Sequence, residues 1–331
     1  LNSAAMINKV FIALLWPVLF SSYVRAQTGE QEPPAKQTFV YAVKGADTLR
    51  LDKYDTPATA GHKPCFIFMY GGGFANGRRD DAGFMPFYTR LVNAGYAVVA
   101  IDYRLGMRNL KAQLTPVQDQ AQVFNQVIDI FERSVNMAVE DLFDATAYII
   151  AHAADWRIDT AGIIACGSSA GAITVLHGAY ALCRSDTLSA RLPDRFHYAG
   201  IVSFAGAIFS RNGRPEWPAP PSPILMFHGD TDRDVPYNKI EWLHTGFYGS
   251  AAIAEQLKAQ KTPHYFYSVE NTGHEISTSP MTQNWDEIHT FLEKMVFGKE
   301  KLIIHTSVSP TGKPEGKKDL TLFDLMGNFK I

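Results

Sequence analysis

Gly167-Ser168-Ser169-Ala170-Gly171 is a G-x-S-x-G pentapeptide with Ser169 at its centre. The apolar run Ala161 to Cys166 precedes it and reads as a buried strand, and the unbroken stretch Ala170 to Cys183 follows it and reads as a helix. Strand, tight turn of small residues, helix is the context in which this motif exposes one hydroxyl on a strained turn above a sheet edge. Ser168 lies off the centre and is expected to shape the turn.

Upstream, Phe39 to Val43 and Thr48 to Tyr54 alternate apolar and polar, which suggests an antiparallel pair of half-exposed strands. Cys65 to Tyr70 and Ala97 to Ile101 are continuous apolar runs, as in strands buried on both faces, with a helix from Ala82 to Ala94 between them. Two helical stretches follow, about Val117 to Val135 and Ala138 to Ala154. Downstream of the pentapeptide, strands are expected at Tyr198 to Phe204, Ile224 to Phe227 and His264 to Val269. Helices are expected at Ile240 to Ala259 and Asn284 to Val296, and Ser210 to Pro223 is a Pro-dense loop. Strands alternating with helices predict an α/β fold, a mostly parallel central sheet flanked by helices on both faces. The domain is expected over 37–298. Residues 299–331 read as a tail whose two β-like pieces, Leu302 to Val308 and Leu320 to Leu325, form a hairpin or belong to an export-sorting segment.

The 331 residues are 46% hydrophobic and 19% charged, with a formal net charge of −2. That balance argues against nucleic acid or an anionic membrane as the main partner. At the N-terminus Lys9 precedes the apolar run Val10 to Phe20, and Ser21, Ser22 and Val24-Arg25-Ala26 follow. This is the layout of a signal peptide over 1–26, cleaved near Ala26, with a polar linker at 27–36. A secreted or periplasmic protein without stable membrane insertion is expected. Cys65, Cys166 and Cys183 form no metal or redox spacing, so the cysteines read as structural, with at most one disulfide.

A serine hydroxyl is a poor nucleophile until a neighbouring base takes its proton. Tyr70-Gly71-Gly72-Gly73-Phe74 closes an apolar strand, and backbone N–H groups of such a glycine run, with that of Ala170, could hold a negative oxygen. The base and its orienting acid are expected downstream in the order Ser, Asp or Glu, His. Three carboxylates compete in His228-Gly229-Asp230-Thr231-Asp232-Arg233-Asp234; Asp232 is favoured, with Asp230 and Asp234 as turn or solvated residues. His274 lies on a loop after the last strand and is the best placed of ten histidines. His152, His177, His244 and His289 read as structural or surface residues within helices, and His228 as support for the acid loop. Phe74, Trp217 and Trp285 are aromatics near the expected site, Phe74 and Trp217 being candidates for substrate binding.

At these residues the chain resembles the α/β-hydrolase superfamily, and within it the carboxylesterases and hormone-sensitive-lipase-like esterases, over roughly residues 36–298. The resemblance implies Ser169 as nucleophile, His274 as base, Asp232 as its orienter, and an oxyanion hole from Gly72, Gly73 and Ala170. It implies no metal and no organic cofactor. Asp102-Tyr103-Arg104 looks like the family's structural Asp-Tyr-Arg. The family's usual His before the glycines is Tyr70 here, and its long N-terminal cap is missing, which points toward compact secreted esterases. The expected activity is hydrolysis of short-chain carboxylic esters. An acetyl- or feruloyl-esterase acting on esterified plant polysaccharide is the alternative, and a non-catalytic binding member of the fold a remote one.

Overall fold

The structure is a computed structural model that describes residues 34–56, 61–117, 119–318 and 320–328. The stretch 1–26, expected to be a signal peptide, and most of the expected linker at 27–36 lie outside them. Chain order begins with β1 (Ala35–Lys44), β2 (Asp47–Asp55), β3 (Lys63–Met69), helix α1 (Met85–Asn93) and β4 (Ala97–Ile101). Helix α2 (Gln120–Ala151), β5 (Ile158–Ser168), helix α3 (Ala170–Cys183), β6 (Gly200–Phe204), β7 (Ala207–Ser210) and β8 (Ile224–Gly229) follow. Then come β9 (Lys239–Trp242), β10 (Thr245–Gly249), helix α4 (Ser250–Ala259), β11 (His264–Val269), helix α5 (Trp285–Thr290), β12 (Ile303–Val308) and helix α6 (Leu322–Asn328).

Nine strands among the described residues form one sheet in the order β1-β2-β4-β3-β5-β6-β8-β11-β12. β1 and β2 pair antiparallel, as do β2 and β4, and every pairing from β4 onward is parallel. Strands β4, β6 and β8 are buried along their whole length. Their continuous apolar sequences require cover on both faces, which the helices supply. Helix α3 is buried nearly all round, packed between α2 and strands β5 and β6.

Four departures from the sequence reading have identifiable causes. The two helices expected between 117 and 154 are one helix, α2. No Gly or Pro interrupts it, and buried Phe124, Ile128, Phe131, Val135, Ala138, Leu142, Ala145 and Ile149 recur every three or four residues. Asp119 caps its start, accepting from the N–H of Ala121 at 2.9 Å. The helix expected over Ile240 to Ala259 begins only at Ser250, and the stretch before it is the β9–β10 hairpin, which joins β7 in a three-stranded side sheet. Ile240, Trp242, Phe247 and Tyr248 favour strand, and a Cβ on Gly249 would lie 1.8 Å from the Pro236 carbonyl oxygen. His244 therefore sits in a hairpin turn and not a helix.

The domain also runs past 298. β12 pairs in parallel with β11 and becomes an edge strand of the main sheet, while Leu322–Asn328 is helical, so 299–331 is not a hairpin. At the other end, Ala35 and Lys36, assigned to the linker, already belong to β1. Cys65, Cys166 and Cys183 are all thiols.

Asp141 of α2, fully buried, joins three parts of this frame. It accepts from Lys44 Nζ at 2.9 Å, from the Arg104 N–H at 2.7 Å and from Arg104 Nη2 at 2.9 Å. Removing one partner of a buried ion pair leaves the others uncompensated. Asp141→Ala is expected to lower the unfolding free energy in urea by about 3 kcal/mol. A loss too small to resolve would show that the cluster is incidental to stability.

Candidate active site

Four loops at the carboxyl ends of parallel strands β3, β5, β8 and β11 meet at one place. This is the edge where open α/β sheets collect ligands. Ser169 follows β5 with φ 52° and ψ −118°, a backbone conformation that costs about 1–3 kcal/mol and is held by its surroundings. The turn is tight because two backbones touch: a Cβ on Gly171 would lie 2.2 Å from the Met69 carbonyl oxygen, at the end of β3. The Ser169 N–H donates to the Phe204 carbonyl at 2.9 Å, fixing the turn to β6. Ser168 points away and donates to the Ser277 carbonyl at 2.8 Å, tying the turn to the loop that carries His274.

The Ser169 hydroxyl donates to Nε2 of His274 at 2.9 Å, and His274 Nδ1–H donates to Oδ2 of Asp232 at 2.8 Å. Asp232 Oδ1 accepts from the N–H groups of Asp234 at 2.8 Å and Val235 at 3.0 Å. His228 Nε2 stands 3.4 Å from Oδ2, and its Nδ1 meets Ser250 Oγ at 2.8 Å, so it does support the acid loop. Burial alone would raise the Asp232 pKa; hydrogen bonds and charge from His228 and His274 outweigh it and hold the carboxyl well below its usual range. Burial would likewise lower the His274 pKa, but the hydrogen bond and charge of Asp232 raise it above that of free imidazole. Of the competing carboxylates, Asp230 accepts from the Asn271 N–H at 2.6 Å and pairs with Lys318, while Asp234 stands exposed at the rim.

Gly72 takes φ 121°, and a Cβ there would lie 2.3 Å from the Asn76 carbonyl oxygen, so only glycine fits the turn. Its own carbonyl accepts from the N–H groups of Ala75 and Asn76 at 3.0 Å. Ala170 opens α3, where N–H groups lack partners within the helix. Gly72, Gly73, Ser169, Ala170 and His274 all line one cavity of about 640 Å³. Tyr103 donates its hydroxyl to the Tyr70 carbonyl at 2.8 Å, pinning the start of the glycine loop, and Tyr70 and Tyr103 pack with ring centroids 4.6 Å apart. Asp102-Tyr103-Arg104 is thus structural, Arg79 meeting Asp102 at 2.7 Å.

Phe74 lines the cavity as expected, but Trp217 does not. Trp217 is buried against Tyr180, with centroids 5.2 Å apart, because its Pro-rich loop folds onto α3 away from the site. Trp285 lies under the Arg90 guanidinium and is not part of the lining either. The sequence reading missed Phe84, Met107, Phe131, Ile173, Val235, Phe247 and Leu325, which belong to the apolar lining. Leu325 arrives from the C-terminal segment, where Asp324 pairs with Arg233 and Lys313 with Glu275 at 2.6 Å.

Asp232, Asp234 and His274 are also near enough together to suggest a cation site. The lone pairs that would bind it are committed: those of Asp232 to His274 and two backbone N–H groups, and that of His274 Nε2 to Ser169. The arrangement suits proton transfer from a hydroxyl and not metal ligation.

A family model described as BD-FAE matches residues 51–129, from β2 through the glycine loop to the first part of α2. Among solved structures, the esterase Est2 of the planctomycete Thermogutta terrifontis with propionate bound is similar at a TM-score of 0.58 and 22% identity, covering 81% of this chain and 97% of that one. Its butyrate-bound form, and the same esterase phosphorylated by paraoxon, each match at 0.56 and 21%, covering 80% and 96%. The chain has the α/β-hydrolase fold. No curated protein matches it. Within that α/β-hydrolase frame, Ser169, Asp232 and His274 occupy the ends of β5, β8 and β11 in the order the sequence predicts.

The His274 ring gives a direct check on the electrostatics. Because Asp232 raises its pKa, the imidazole stays protonated to higher pH than the free group, near 6.5. NMR titration should give a midpoint above that value. In Asp232→Asn burial is opposed only by the more distant charges of Asp234 and Glu275, and the midpoint should fall below that of the unaltered protein. An unshifted midpoint in both proteins would contradict the coupling.

Proposed function

We propose that this protein is a serine carboxylic ester hydrolase acting through an acyl-enzyme on Ser169. The observation that carries the reading is the unbroken relay from Ser169 Oγ through His274 to buried Asp232, opening into the cavity beside the glycine loop. Ser169 Oγ bonds to the ester carbonyl carbon while His274 Nε2 takes its proton and Asp232 stabilises the imidazolium. The carbonyl oxygen, now negative, is held by backbone N–H groups of Gly72, Gly73 and Ala170; one such donor is worth on the order of 100- to 1,000-fold in rate. The tetrahedral carbon then expels the alcohol, which leaves with the proton from His274. Water repeats the sequence on the acyl-enzyme, releasing the acid and restoring Ser169.

Ser169→Ala should lower hydrolysis of p-nitrophenyl acetate by about 10⁴-fold or more. Asp232→Asn should cost roughly 10⁴-fold by leaving the imidazole in the wrong tautomer. Full activity in Ser169→Ala would remove that residue from the mechanism. Labelling by a fluorophosphonate probe at Ser169 separates an enzyme from a binding protein on the same fold.

The preferred substrates are short-chain esters. Exposed polar groups at the rim, Asn76, Arg78, Asp81, Asp234 and Thr278, favour a second reading, in which the alcohol is a polyhydroxyl unit of an acetylated or feruloylated plant polysaccharide. Release of acetate from acetylated xylan, or of ferulate from methyl ferulate, supports it; turnover of p-nitrophenyl esters alone opposes it.

Export to the periplasm or medium belongs to the same proposal. It rests on the basic, apolar and small-residue order of residues 9–26, and no helix among the described residues is long and apolar enough to cross a membrane. N-terminal sequencing of protein recovered outside the cytoplasm should begin near Gln27. Retention of Val10 to Phe20 in that protein would contradict cleavage.

A further inference from the structure

The cavity at Ser169 is lined by two kinds of side chain. Asn76, Arg78, Asp81 and Asp234 are polar and exposed to solvent. Phe74, Met107, Phe131, Ile173, Val235 and Phe247 are apolar and buried. Phe131, from the middle of α2, and Phe247, from the side sheet, meet there edge to face with centroids 5.2 Å apart. A further layer of aromatics stands behind them: Phe209 of β7 lies 5.7 Å from Phe131 and 4.9 Å from Phe247, and Trp242 lies 6.1 Å from Phe247. Side chains backed by a packed layer have little freedom to step aside for a longer ligand.

The order of events decides which half of an ester meets which lining. The alcohol must leave after acylation and water must enter, so the alcohol belongs beside the exposed polar residues. The acyl group stays bonded to Ser169 through both steps and needs no exit until the last. It belongs against the buried apolar ones.

We propose that Phe131 and Phe247 are the specificity-determining wall of the acyl site, restricting the enzyme to compact acyl groups. The inference rests on the esterase reading and adds the residues that set its acyl limit. Both side chains touch substrate without taking part in proton transfer. A wall of this kind discriminates by the room left for extra methylenes, each worth roughly 10- to 200-fold.

The test compares kcat/KM for p-nitrophenyl acetate, butyrate and octanoate in the full-length protein and in Phe247→Ala, Phe131→Ala and Met107→Trp. The two alanine variants should raise the octanoate-to-acetate ratio by about tenfold or more. Met107→Trp, which enlarges a side chain of the same apolar lining, should lower the butyrate-to-acetate ratio, and opposite shifts cannot arise from loss of folding. Unchanged ratios in all three variants would overturn the wall. A response to the length of the alcohol in a series of acetates, with none to acyl length, would overturn the orientation. If the unaltered protein neither hydrolyses any of these esters nor takes a fluorophosphonate label, the esterase reading itself fails, an outcome distinct from unchanged ratios.

Discussion

Helix α3 begins so close to the end of β3 that Gly171 has no room for a Cβ beside the Met69 carbonyl. That contact forces the chain to turn from strand to helix within one residue, and Ser169 takes up the turn at φ 52°. It also brings the glycine loop against the serine: a Cβ on Gly71 would lie 3.0 Å from the Ser169 Cβ. The Ser169 hydroxyl and the backbone N–H groups of the glycine loop are therefore positioned by one close approach of two main chains. Side-chain rotamers have little part in it. This is the kind of preorganisation on which electrostatic stabilisation of a transition state depends.

The rest of the site is hung on neighbouring strands with the same economy of movement. Asp232 follows β8 and His274 follows β11, two adjacent parallel strands, so the carboxylate and the imidazole face each other across one strand spacing. A buried carboxylate would be costly alone. Here two imidazoles and two backbone N–H groups satisfy it, keeping it ionised and His274 in one tautomer. Ser168, next to Ser169, donates to the Ser277 carbonyl and couples the serine turn to the histidine loop.

The elbow, the glycine loop and the order Ser169, Asp232, His274 were legible because each is a local pattern at the end of a local apolar run. The sequence favours Asp232 over Asp230 and Asp234, but the physical reason emerges only where β11 brings His274 and Asn271 alongside. What the sequence hid depends on contacts distant along the chain. The β9–β10 hairpin looks helical by its apolar spacing, and Gly249 shows its purpose only beside Pro236. The strand character of Leu302 to Val308 is legible, but its pairing with β11 is stated by no local signal. Trp217 stands between prolines in the sequence as a plausible platform, yet its loop folds onto Tyr180. Phe131 and Phe247 look like ordinary core residues until α2 and the side sheet meet at the cavity.

The central claim is that Ser169, and no other hydroxyl, is the activated nucleophile. Treating the protein with paraoxon and mapping the phosphorylated peptide by mass spectrometry tests it directly. The account predicts a single diethylphosphoryl adduct on Ser169, formed faster as pH rises through the His274 titration and lost in His274→Ala. An adduct on Ser168, or none on the 167–171 segment while ester hydrolysis continues, would contradict it.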